Sequence, residues 1–477
     1  VDITANTSWP EGTYTHGNIT VRAGATLTLN GVTQITATNI TVEAGGAISA
    51  DGTGYAAGQG PGAGTSVQMG ASHGGTGGDG GPVPYGSAVA PVDMGSGGLG
   101  TTGGGAIRLN VSGTLTLDGR VSANASWGGD DGAAAGGSIY VITGTFSGGG
   151  SLQANGGSTS CYMCSTGRGG GGGGRIAIHY ATNTFTGATS VEGGTGAGSA
   201  GGAGTIGFFD ESNPEQVILM TGYNWRFEAV DNAISYWDIR LQNASASMGT
   251  GVTNLSIGNS LFIGGTSTLW LSGVTQLTAV TITLEAGAII SADNAGYAAN
   301  DGPGAGTGFA GGSHGGVGGE GGQPSYDSAV APVDRGSGAT GGPGGGAIQL
   351  NVSGTLTLDG RISANGAFGS SAGGAAGGSV YIIAGTFSGS GSLQANGGNT
   401  NCNMCGSGRG GGGGGRIAVH YATNTFTGTA SANGGTGAGA AGTTGTIGFF
   451  DESNPGQVIL ITGYNWRFEA VDNAISY

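Results

Sequence analysis

The chain is written twice. Cys161 recurs as Cys402, Trp225 as Trp466, Asp118 as Asp359 and Arg175 as Arg416, each 241 residues later. The stretch Gly-Thr-Ile-Gly-Phe-Phe-Asp-Glu-Ser-Asn-Pro, starting at Gly204, reappears from Gly445. This period far exceeds one repeat of a stacked array, so what is duplicated is a whole module. The reading is two tandem modules, 1–236 and 237–477.

Inside each module short β-branched runs alternate apolar with polar residues and end at Gly, Asn-Gly or Asp-Gly. Examples are Asn18 to Leu29 (NITVRAGATLTL) and Gln34 to Ile48 (QITATNITVEAGGAI). Runs of this period that cannot bury their own apolar face predict stacked coils of a parallel β-solenoid (β-helix). A sandwich of antiparallel hairpins is the competing architecture. Glycine then becomes the question, since it supplies 115 of 477 residues. Long helices are excluded, because each glycine costs a helix about 1 kcal/mol. Collagen is excluded by the lack of a strict every-third glycine and by only 11 prolines. The glycines gather in tracts at 51–105, 165–174 and 193–203 with counterparts in the second module. In Gly74-Gly-Thr-Gly-Gly-Asp-Gly-Gly81 the period is three. Three residues per turn with two lacking side chains predicts polyglycine-II-like layers flanking the coils. A flexible linker is the alternative. The expected fold is all-β.

The succession ASHGGTGGDGG, Tyr85-Gly-Ser, GGGAIRLNVSGTLTLDGRVSANA, GGSIYVITGTFSGGGSLQANGG and GGGGGGRIAIHY resembles glycine-rich, adhesin-like modules of large secreted bacterial surface proteins. It is also similar to plant glycine-rich wall-associated proteins. The likeness covers roughly 40–225 and 281–466. It implies an extracellular or cell-surface, β-rich structural or adhesive role, and it brings no catalytic residues to carry over.

Charge narrows the partners. The formal net charge is −15, and all twelve basic residues are arginine. Nucleic acid is disfavoured, because phosphate binding needs clustered cations. No run of 18 apolar residues exists, so no membrane span is expected. Opening at Val1-Asp2-Ile3, the chain reads as a processed product or a fragment.

Few residues suggest chemistry. Cys161-Tyr-Met-Cys164 and Cys402-Asn-Met-Cys405 lack the histidine of a haem attachment site. They read as one local disulfide per module in an oxidising compartment, with a shared zinc site as the sharper alternative. Gly74 to Asp79 matches the start of a calcium-binding nonapeptide, but the apolar position holds Gly81 and the motif is not tandem. Asp118, Asp130, Asp131, Asp210 and Glu211 are the carboxylates a polysaccharide-cleaving site would draw on. Asp130 and Asp131 become Ser371 and Ala372 in the second module, Asp118 reads as a turn residue, and Asp210-Glu211-Ser-Asn-Pro as a turn into Gln216. His73, His179 and their counterparts His314 and His420 have no ligands nearby in sequence. Arg168 and Arg175 bracket six glycines, and they read as satisfying backbone carbonyls rather than gripping an acidic glycan. Asn-x-Ser/Thr sequons stand at Asn6, Asn18, Asn39, Asn110, Asn124, Asn243, Asn254 and Asn351.

Aromatics concentrate at Tyr223-Asn-Trp225-Arg-Phe227, at Tyr236-Trp237 and again around Trp466. They suit a joint between modules; a carbohydrate-stacking platform is the alternative. Val1-Asp2-Ile3-Thr4 copies Trp237-Asp238-Ile239-Arg240 in pattern, and Tyr477 ends the second module as Tyr236 ends the first. Asp2, Ile3, Trp225, Tyr236, Trp237, Asp238, Ile239, Trp466 and Tyr477 are therefore the candidate joint residues of a head-to-tail homopolymer. The expectation is a non-enzymatic, cofactor-free extracellular filament protein. A glycan-binding adhesin or fibre tip and a β-helix polysaccharide-active enzyme are the alternatives.

Overall fold

The computed structural model describes residues 1–160, 167–212, 216–219, 224–227, 236–242, 244–249, 251–401, 408–453 and 458–460. Among them the chain is all-β, without helices. It divides into two compact units, Val1–Ile234 and Ser235–Tyr477.

In the first unit the strands alternate between two sheets. Asp2–Ile3, Gly12–Val21, Val32–Val42, Ala106–Leu117, Ser138–Gly148, Arg175–Phe185 and Thr205–Asp210 pair in that order, each parallel to the next. The intervening short strands Thr7–Trp9, Thr26–Leu29, Ala47–Ser49, Arg120–Ser122, Ser151–Gln153 and Ala188–Ser190 build a second parallel sheet in the same order. Parallel pairing removes the hairpin alternative, since hairpins pair antiparallel. Among the described residues the antiparallel partner is Gln216–Leu219, which folds back on Thr205–Asp210. The turn read at Asp210 is real: its Oδ1 accepts from the backbone N–H of Ser212 at 2.9 Å.

Alternation explains the core. Ile19, Ile40, Leu115 and Phe146 from the first sheet face Leu27, Ile48, Val121 and Leu152 from the second, and all are at most 1% exposed. Burying each such side chain contributes roughly 1.5–3 kcal/mol. Between a long strand and the next short one the chain turns a tight corner, as at Gly24 and Gly45, whose φ values of 79° and 85° favour glycine.

The second unit repeats the plan. Tyr236–Gln242, Asn254–Gly264, Val274–Ala279 with Thr281–Leu284, Ala347–Leu358, Ser379–Gly389, Arg416–Phe426 and Thr446–Asp451 form its long parallel sheet. Ser245–Met248 through Thr429–Ser431 form the short one, and Val458–Leu460 is again antiparallel.

Every glycine tract of the first unit leaves the end of a short strand and returns at the start of a long one. The described residues of these connections, 50–105, 123–137, 154–160 with 167–174, and 191–204, therefore emerge on one side and meet there. Gly169 to Gly174 is their centre. The N–H groups of Gly169 and Gly172 donate to Gln68 and Ala71, those of Gly170 and Gly173 to Ser199 and Gly202, and those of Gly171 and Gly174 to Gly157 and Ala154. Its carbonyls accept from Ala133 and Gly136, from Gly78 and Gly75, and from Gly194. Partners recur every third residue and six segments surround one strand. A Cβ on Gly171 would overlap the carbonyl oxygen of Ala134, and one on Gly172 that of Gly75. Around Gly410 to Gly415 the second unit makes the corresponding bonds, for example Gly410 to Phe309 and Gly413 to Gly312.

Candidate functional site

Of the residues that sequence marked for chemistry, Arg175 and His179, with Arg416 and His420 in the second unit, lie on the outer face of the long sheets. A strap of residues 82–94 lies over part of this face in the first unit. Arg175 holds it from below: Nε donates to the Tyr85 carbonyl at 3.0 Å and Nη1 to Thr205 Oγ1 at 3.1 Å, with the side chain fully buried. Tyr85 donates its hydroxyl to the Met94 carbonyl at 2.6 Å, and burial pushes that phenol up. Ser138 Oγ donates to the Asp93 carbonyl. Arg416, Tyr326 and Ser379 repeat all of this. Arg168 donates from Nε to the Asp130 carbonyl. Both arginines thus serve backbone carbonyls.

Beneath the strap runs a column of rings, one per strand. Tyr140 and His179 meet edge-on at 5.4 Å, and His179 stacks on Phe209 at 4.3 Å. Tyr381, His420 and Phe450 repeat it. His179 also bridges the strap to the turn, with Nε2 2.9 Å from the Val89 carbonyl and Nδ1 2.5 Å from Glu211 Oε1. His420 does the same with Val330 and Glu452. The His–Glu pairing escaped sequence reading because 32 residues separate the partners; the parallel register of His179 on Phe209 brings them together.

His73 is buried and donates from Nδ1 to the Gly136 carbonyl at 2.8 Å. Burial, aided by the nearby Arg175 charge, lowers its pKa to about 3. In the second unit Asp327 adds a carboxylate beside His314. Burial alone would raise Asp327, yet hydrogen bonds from His314 and from the N–H groups of Asp334 and Ser328 hold it below the usual value. Asp79 accepts from Ser199 N and Oγ, and Glu320 from Ala440 N, so the carboxylates of the calcium-like motif tie glycine tracts together. Asp118 accepts from Gly149 N at a corner. Among the described residues no group of three potential metal ligands converges.

Where the strap ends, each long sheet has a shallow groove beside the bulge in its register. Thr15, Thr36, Thr38, Asn110, Ser112 and Ile142 line one of about 360 Å³. The second, of about 440 Å³, has Thr278, Val280, Asn351, Ser353 and Ile383. Neither lining includes a carboxylate.

The candidate joint residues are spread over both units. Trp225, Tyr236 and Ile239 are buried, and Ile3 is 6% exposed. Trp237 is 43% exposed and Asp2 is exposed. Asp238 Oδ1 accepts from the N–H of Ser260 at 3.0 Å. Asp2 pairs with Thr20 and Ile3 with Val21, next to the corner at Arg22. Beside the corresponding corner at Gly264 it is Arg240 and Leu241 that pair, with Phe262 and Ile263. The Asp-Ile match in sequence therefore lies two residues out of structural register. Asp2 instead joins an exposed cluster with Arg22 and Glu43, in which the guanidinium lowers the Asp2 carboxyl. Cys161, Cys164, Cys402, Cys405, Trp466 and Tyr477 lie outside the described residues. Besides Trp237, aromatics outside the candidate joint reach solvent, Trp270 and Phe309 among them. Trp127 and Phe368, equivalent in the repeat, are 66% and 50% exposed.

Compared with protein-family models, with curated proteins and with solved structures, the chain matches none. No described helix is long and apolar enough to cross a membrane.

Proposed function

We propose that this chain is an extracellular structural protein, the repeating element of a cell-surface fibre. In this reading the interleaved parallel sheets are coils of a β-solenoid, and the glycine tracts pack beside them as a polyglycine-II-type layer. The observation that carries it is the sixfold backbone hydrogen bonding of Gly169 to Gly174, repeated around Gly410 to Gly415. Such a layer joins backbone to backbone without side chains, so many ordered hydrogen bonds resist shear together. A cleft for chemistry would instead need convergent, perturbed titratable groups open to substrate. Of the strongly perturbed groups, His73 is buried, Tyr85 and Tyr326 sit half-buried within the straps, and Arg22 is raised on the surface by its pairs with Asp2 and Glu43.

Head-to-tail stacking of copies is part of the proposal. The fifteen residues Gly222 to Tyr236 recur unchanged as Gly463 to Tyr477. Tyr236 opens the parallel strand that pairs with Asn254–Gly264. Tyr477 of one copy would take that role beside Gly12–Val21 of the next, a heterologous contact that propagates. Electron microscopy of the purified protein tests this. Filaments whose axial repeat corresponds to two modules are expected; short rods of one length at every concentration would sink the assembly.

A further inference from the structure

Below the strap the long sheets present a face of Thr, Ser and Asn, bounded at its first strand by Asp2 in one unit and by Asp238 and Arg240 in the other, that the filament reading does not use. In the first unit its outward residues are Asn18 and Thr20, Asn39 and Thr41, Thr114 and Thr116, Thr145 and Ser147, then Thr182 and Thr184, strand by strand in register. In the second unit they are Thr281 and Thr283, Thr355 and Thr357, Thr386 and Ser388, then Thr423 and Thr425. The residues between them, such as Ile40, Leu115 and Phe146, point into the core, so alternation fixes the hydroxyls outward. Neighbouring rows stand about 4.8 Å apart, and the two columns about 6.7 Å apart.

We propose that this face, with the groove beside it, binds an extended neutral polysaccharide lying across the strands. Four observations lead to that occupant. Between their first strands and the corners the columns carry no charged side chain, and His16 is the one titratable group lining either groove, which leaves little of the attraction that an acidic glycan or a nucleic acid would need. Hydroxyls and carboxamides donate and accept alike, as sugar hydroxyls require. Among the described residues the hydroxyls of Thr41, Thr145, Thr182, Thr355 and Thr386 make no protein hydrogen bond, while Thr116 and Ser147 bond each other at 3.3 Å. The same arrangement occurs in both units, with Ile142 and Ile383 supplying an apolar strip beside the amides of Asn110 and Asn351. A row recurring at every strand suits a linear polymer of small repeating units better than a folded partner. The face needs no assembly of copies to form.

Co-sedimentation of the full chain with insoluble polysaccharides tests the proposal. The probes are cellulose, xylan and chitin powders, with calcium alginate gel as the acidic control. Retention on at least one neutral powder and none on alginate is expected. Thr145→Glu with Thr386→Glu, placing a charge on the face of each unit, should cut the bound fraction about tenfold. Either substitution alone should cut it less, because two linked sites reinforce each other. Thr145→Asn with Thr386→Asn should restore it, and unchanged thermal melting would show that the fold is intact. No retention on any neutral powder, equal retention on alginate, or undiminished binding by the double Glu variant would each overturn the proposal. So would double-Glu loss of self-association in a protein that never bound powder, which would make the face a contact between copies. Absence of filaments with retention intact would count against the fibre alone.

Discussion

Nε2 of His314 lies 3.3 Å from Oδ2 of Asp327, whereas Nε2 of His73 has no hydrogen-bond partner, because Gly86 stands where Asp327 does. The two units are near copies in sequence, yet one buries a neutral ring and the other a ring beside a carboxylate. The difference bears on stability in acid.

His73 is held at about 3 in the folded protein, against an ordinary value near 6.5. Between those values the unfolded chain holds a proton that the folded chain lacks. Stability from this site is therefore complete above pH 6.5 and falls as the pH drops toward 3, by about 1.4 kcal/mol per pH unit. Thermal melts from pH 7 to pH 4 of the chain and of His73→Leu check it. The variant should lose stability less steeply over that interval.

Asp327→Ala removes the acceptor from a buried cluster and leaves the N–H groups of Val333 and Asp334 without it. A loss of about 3 kcal/mol is expected in the second unit, read as faster hydrogen exchange there than in the first.

Gly171→Ala should destabilise the first unit by about 3 kcal/mol, because its Cβ has no room beside the Ala134 carbonyl. Gly17→Ala is the control. Nothing lies within 4 Å of a Cβ there, and its effect should stay within about 0.5 kcal/mol. Urea titrations of both variants measure the contrast.

Arg175→Lys keeps the charge but loses the fork that reaches the Tyr85 carbonyl and Thr205 together. The strap should open, and limited proteolysis should cut within 82–94 well before the rest of the unit. His179→Phe preserves stacking on Phe209 and leaves the Val89 carbonyl without its donor. A cost of about 1–2 kcal/mol in a urea titration is expected.

The two-module plan was readable from positions such as Cys161 and Cys402, and β structure from the alternation in Asn18 to Leu29. Period-three glycine runs were equally plain, since a missing side chain is visible in any sequence. What the tertiary structure decided is which backbones meet. Gly172 donates to Ala71 and accepts from Gly136, and no side chain at any of these positions specifies the choice. The strands bordering each tract set that register, and the strand order can be known only once the sheets are paired. The outward Thr and Asn columns follow from the same cause. Alternation marks Thr145 as facing away from the core, but only the pairing of Thr114, Thr145 and Thr182 turns separate threonines into one surface.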